Sequence, residues 1–276
     1  MSRFLAYATL VLSAALPAAA VTPGVINATV NGGSVSATVA LPGGFGADVT
    51  VSFEDVTGLN LASLGLSAQV VNPADTALLA RLPDASLAAG FPVLLSIEPP
   101  ATGGLSFRGI YNLEVHTHNL HYTPGSPLRI YTAHNGGSFR DITVSMGAGS
   151  YRVRGTEGGF SEFLIVSDAR TVDQAITAKL DSLEQLLDDY TGSMSTALYG
   201  ELEDRLEAAR KHHEQGATVA AIQKVDSFLG LVQGHSGTGI PNVWRAARDL
   251  DNVAGYLRAA AMTLRFSLDL KRNPGL

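Results

Sequence analysis

FLIVSDARTVDQAITAKLDSLEQLLDDY, residues 163–190, holds the seam of this chain. Up to Asp168 it reads as a strand, and beyond Asp168 the apolar period lengthens from two residues to about 3.6. Thr171 and Gln174 have the Thr-x-x-Gln form of a capping box, in which each side chain accepts a backbone N–H that a helix start leaves free. Ile176, Leu180, Leu183, Leu187 and Tyr190 then recur at helical spacing. One change of period, strands before it and helices after it, predicts an α+β fold with two segregated domains.

Upstream of the seam the chain is rich in Val, Thr, Ser, Gly and Pro. VINATV (25–30) and SVSATVAL (34–41) flank the NGG of 31–33, and Asn-Gly is the strongest short-range hairpin signal. DVTVSFED (48–55), FPVLLSIEP (91–99), YNLEVHTHN (111–119), PLRIYTA (127–133), YRVRG (151–155) and FSEFLIVSD (160–168) follow as strand candidates between Gly- and Pro-rich turns. Short strands at this spacing predict an antiparallel β-sandwich over residues 21–168. Residues 59–89 read as a mixed insertion in which ALLARL (77–82) suits a short helix.

Downstream, Leu198, Leu202, Leu206 and Ala209 mark a second helix after the TGS break, and Gly216 separates it from a third that carries Ile222, Val225, Leu229 and Val232. Gly234, Gly237 and Gly239 end the third. Pro241 suits the first turn of a fourth, lined by Val243, Ala247, Leu250, Ala254, Leu257, Ala261 and Leu264. One apolar stripe per helix and short connections predict an antiparallel four-helix bundle over 169–270, with a tail at 271–276.

The first twenty residues, MSRFLAYATLVLSAALPAAA, run from Arg3 through an apolar core to Pro17 and three alanines, the pattern of a signal peptide cleaved after Ala20. That core is about 13 residues long, short of the roughly 20 that span a bilayer, so no stable membrane span is expected after cleavage. The chain contains no cysteine, which excludes disulfides, thiol nucleophiles and thiolate metal sites. Its formal charge of −6 becomes −7 once Arg3 is removed, a poor match for nucleic acid. All four lysines, Lys179, Lys211, Lys224 and Lys271, lie beyond the seam.

ITVSMGAGSYRVRGTEGGFSEFLIVSD (142–168) resembles the closing hairpin of secreted bacterial β-sandwich modules. LEDRLEAARKHHEQGATVAAIQKVDSFLGLVQGHSGTGI (202–240) is similar to the FIMAH helical module of exported bacterial proteins, with Phe228-Leu229 standing where that module has Phe-Ile. The whole chain resembles an uncharacterised exported proteobacterial family of unknown function, a resemblance that implies a sandwich-plus-helices architecture and brings no catalytic residues.

EVHTHNLHY (114–122) gathers three of the chain's seven histidines. Strand alternation sends Leu113, Val115 and Thr117 toward the core and Glu114, His116 and His118 to the outer face. Such a row can chelate zinc or copper, with His121 or His134 as a further ligand, although polar outer faces are also what half-buried strands normally show. Arg152 and Arg154 share one face of YRVRG, and a cross-strand pair with Glu162 beyond the GTEGG turn is expected, the alternative being an anion or glycan site. Trp244 is placed in the first turn of the fourth helix as buried core or a partner anchor. GHSGTG (234–239) lacks the second glycine of a nucleophile elbow and lies between helices, which argues against Ser236 as a nucleophile. His212 and His213 suit the negative end of the second helix.

No motif specifies a reaction or a required cofactor. The expectation is therefore an exported, non-catalytic protein of the periplasm or cell surface that binds an envelope protein or glycan. A metal-dependent enzyme or metal-binding protein centred on Glu114, His116 and His118 is the alternative, and a structural spacer in an envelope assembly is another.

Overall fold

The computed structural model describes residues 24–82, 84–147 and 149–275, so the signal peptide expected over 1–20 lies outside the described residues. The first elements among the described residues are β1 (Val25–Asn31), β2 (Ser34–Leu41), β3 (Phe45–Thr57), the single-turn helix α1 (Leu61–Leu64), β4 (Leu66–Val70) and a second single turn, α2 (Thr76–Leu79). It continues through β5 (Ala85–Leu87), β6 (Val93–Ile97), the long strand β7 (Ser106–His121), β8 (Leu128–Ala133), β9 (Arg140–Asp141) and β10 (Thr143–Gly147). β11 (Ser150–Glu157) and β12 (Glu162–Asp168) complete the strand-rich half. Beyond the seam come α3 (Val172–Asp189), α4 (Thr196–Glu214), α5 (Thr218–His235), a three-residue strand β13 (Val243–Arg245) and α6 (Val253–Arg272).

The strands form two antiparallel sheets. In the first the order is β1-β2-β3-β7-β11-β10, with β13 added to β7; in the second it is β4-β6-β12-β8-β9, with β5 added to β12. Val49, Val51, Leu113, Val115 and Val153 of the first sheet share one apolar core with Val93, Leu95, Ile97, Phe163 and Ile165 of the second. The second sheet is apolar on both faces. Leu164 and Val166 point away from that core into another cluster, which Leu78 and Leu82 of the 59–89 segment cover. The continuous FLIV run is thus a strand buried on both sides, and the segment that read as a mixed insertion supplies β4 and β5 to this sheet while Leu78 and Leu82 cover its outer face.

The capping box forms as the sequence predicts: Thr171 Oγ1 accepts from Gln174 N at 3.2 Å, and the Gln174 side chain accepts from Thr171 N at 2.8 Å. Helices α3–α6 share a core of Ile176, Leu180, Leu202, Leu206, Val225, Leu257 and Leu264, among others. Phe228, rather than Leu229, stands at the centre of the α5 stripe. No helix among the described residues is long and apolar enough to cross a membrane.

Three expectations are corrected. The fourth helix begins at Val253, not near Pro241, because Arg248 takes a left-handed φ of 55° that no α-helix continues, and Asn252 supplies the N-cap to Gly255 N at 3.0 Å. Trp244 is consequently on a strand: β13 pairs with β7, Trp244 facing Phe107. Finally, β11 and β12 do not form a hairpin. The chain between them crosses from one sheet to the other, so Glu162 sits in the second sheet and pairs with Arg81, far from Arg152 and Arg154.

That crossing is where the helices dock. A Cβ on Gly158 would lie 2.5 Å from Tyr256 N, so only glycine permits this approach of α6. Asn252 Nδ2 donates to Gly109 O at 2.6 Å and to Gly158 O at 3.0 Å, tying the start of α6 to β7 and to the crossing.

Candidate metal-ligating face and the cavity beneath the helices

The outer face of the first sheet carries the histidine row where alternation puts it. Leu113, Val115 and Thr117 are buried, while Glu114 and His116 are half-buried and His118 is exposed. Register decides their neighbours. β3 places Asp48 directly opposite His116, and β11 places Arg152 opposite His116 and Arg154 opposite Glu114.

Glu114 is therefore already occupied: its carboxylate accepts from Arg152 Nη1 at 3.3 Å and from Arg154 Nη2 at 2.7 Å. This is the carboxylate that the two arginines find in place of Glu162. Asp48 takes the place beside the imidazoles that the sequence suggested for Glu114. Its Oδ2 lies 3.1 Å from His118 Nε2 and 3.8 Å from His116 Nδ1. One ligand atom from each of Asp48, His116 and His118 falls within 4.8 Å of the others. His121 lies at the exposed end of β7 and is not one of that group. Nor is His134, whose Nδ1 lies 3.2 Å from Phe160 O and whose Nε2 lies 3.8 Å from Glu157.

A second polar assembly, absent from the sequence reading, lies between the second sheet and the helices. Lys179 of α3 is buried, with Nζ 2.6 Å from Asp141 Oδ2 and donating to Thr263 O at 3.0 Å and Ser267 Oγ at 2.9 Å of α6. Burial pulls its ammonium below the usual lysine range, against the opposing pull of Asp141. Glu157 is fully buried. Burial alone would raise its carboxyl, but Arg140, His134 and the Gly158 N–H outweigh that and hold it below the usual range. In the same way burial of Asp168 is outweighed by Arg170 and by the Tyr131 hydroxyl, which donates to it at 2.7 Å.

Tyr131, Arg140, Asp141, Arg170 and Lys179 line a cavity of about 160 Å³, beside a wider recess of about 410 Å³ that includes His134, Arg140, Tyr190 and Tyr256. Lys179, Arg140 and Arg170 each meet a carboxylate of this protein. These pairs join β9, α3 and the segment that leads into α3.

The remaining sequence candidates have structural surroundings. Trp244 is 5% exposed, stacked on Phe107 at 5.4 Å and edge-on to Phe160 at 5.0 Å, so it is core and not a partner anchor. Ser236 ends α5, where its Oγ accepts from Asn242 Nδ2 at 3.2 Å. His213 is buried, and desolvation with nearby Lys271 lowers its pKa, so it does not serve as the charged cap expected at this helix end.

No curated protein matches this sequence. A family model described as a family of unknown function, DUF6689, matches residues 7–272, which takes in both sheets and all the helices. The chain belongs to that family.

Proposed function

We propose that this is an exported, non-catalytic binding protein of the periplasm or cell surface, in which a β-sandwich is held on an antiparallel four-helix bundle and presents its outer face to an envelope protein. Export rests on the signal-like first twenty residues. The observation that carries the reading is the transverse polar row of Asp48, His116 and Arg152, with Glu114 and Arg154 beside it, on strands at the centre of the first sheet. Fixed backbone beneath exposed charged side chains suits recognition by electrostatic complementarity. The buried contacts of Lys179 and Asn252 support it, because they fasten the sandwich to the bundle as one unit.

Co-sedimentation of the mature protein with envelope fractions in chelator tests the reading. Saturable retention, lost when Arg152 and Arg154 are both replaced by Ser, is expected. Retention that survives protease treatment of the fraction points to a glycan partner instead, and absence of retention refutes the proposal. Intact-mass measurement on periplasmic material should give a chain starting at Val21.

A further inference from the structure

We propose that Asp48, His116 and His118 bind a divalent transition-metal cation of the copper and zinc class on the outer face of the first sheet. The three side chains come from the two central strands, β3 and β7. Asp48 and His116 are register partners, and His118 follows two residues along β7 on the same face.

A cation with bonds of about 2.0–2.2 Å to nitrogen and carboxylate oxygen sets neighbouring donors roughly 3.0–3.5 Å apart. The Asp48 oxygen already lies 3.1 Å from His118 Nε2 and 3.8 Å from His116 Nδ1, so small side-chain rotations complete the set. The imidazoles meet edge to face, with ring planes at 83° and centroids 5.8 Å apart. One nitrogen of each ring and one Asp48 oxygen lie within 4.8 Å of one another. Room for this is built in on the β3 side: a Cβ on Gly46 would stand 3.2 Å from His118 Nδ1. Asn119 fixes the same turn, accepting from Gly46 N at 2.9 Å and donating to Gly44 O at 3.0 Å.

Two imidazoles and one carboxylate, with the remaining positions open to water, favour copper and zinc over calcium and magnesium, which prefer all-oxygen shells. Arg152 opposes binding, because its Nη2 lies 3.5 Å from His116 Nδ1. Glu114 restrains that guanidinium from the other side. The site is thus predicted to be one of micromolar rather than tighter affinity, and removing Arg152 should strengthen it.

The inference does not rest on partner binding, and its test uses metal alone. Zinc and copper are titrated calorimetrically into untagged mature protein, with circular dichroism confirming that each variant is folded. One cation per chain is expected, weakened at least about tenfold by His116→Ala, His118→Ala or Asp48→Asn and unchanged by His121→Ala. Arg152→Ala should tighten it by about two- to tenfold, the screened repulsion between a divalent ion and one nearby guanidinium. The proposal is overturned by an affinity unchanged in Asp48→Asn or in both His116→Ala and His118→Ala, by an equal loss in His121→Ala, or by no binding of either metal.

Discussion

Replacing Lys179 with Met should destabilise the protein far more than its single ion pair suggests. The ammonium holds Asp141 Oδ2 at 2.6 Å and bridges Thr263 O and Ser267 Oγ, so it joins α3, β9 and α6. Methionine fills the space but leaves a carboxylate at 2% side-chain exposure facing an apolar thioether. Breaking a buried pair in this way costs about 3–5 kcal/mol, and with a urea m-value of about 3 kcal/mol/M the unfolding midpoint should fall by about 1–1.7 M. Asp141→Asn is milder, since an asparagine oxygen can still accept from Thr143 N, as Asp141 Oδ1 does at 2.8 Å, and the stranded lysine can shed its proton. In the double variant no charge remains. The Ser267 hydroxyl can then turn back to Thr263 O, four residues earlier on its own helix, and satisfy the orphaned carbonyl. The double variant should therefore recover at least about 2 kcal/mol relative to the sum of the singles. Urea unfolding followed by Trp244 fluorescence and by helical circular dichroism reads both regions at once. A Lys179→Met cost below about 1 kcal/mol, or strict additivity in the cycle, would refute the view that this pair fastens the helices to the sheets.

Acid should loosen the same junction. Glu157 and Asp168 have folded-state pKa values below their usual ones, so their contribution is fully present above about pH 4.5 and is lost as pH falls through the lowered values; a midpoint that stays constant between pH 5 and pH 3 in thermal melts would contradict this. Trp244→Ala removes the ring that stacks on Phe107 and meets Phe160, and should cost about 3–5 kcal/mol by cavity formation, read as a lower midpoint in circular dichroism melts.

Features that depend on near neighbours along the chain were legible from the residues alone. Alternation in YNLEVHTHN placed Leu113, Val115 and Thr117 inward and His116 and His118 outward, because successive side chains of a strand take opposite faces whatever the partner strand is. Thr171 and Gln174 marked the start of α3, since a capping box closes within four residues. Where the partner lay elsewhere in the chain, sequence reading failed. Asp48 is 70 positions from His118, and only the β3–β7 register brings the two together. Glu162 looked adjacent to Arg152 and Arg154 across a short turn, yet the Gly158–Gly159 crossing sends it to the other sheet and leaves the arginines to Glu114. Val243–Arg245 carries helical-looking spacing, but its backbone pairs with β7 and Trp244 closes an aromatic cluster with Phe107 and Phe160, so long-range burial overrode local preference. Lys179 stood out in the sequence only as one of four lysines beyond the seam. Its burial follows from β9 and α6 meeting over it, a convergence that no local pattern encodes.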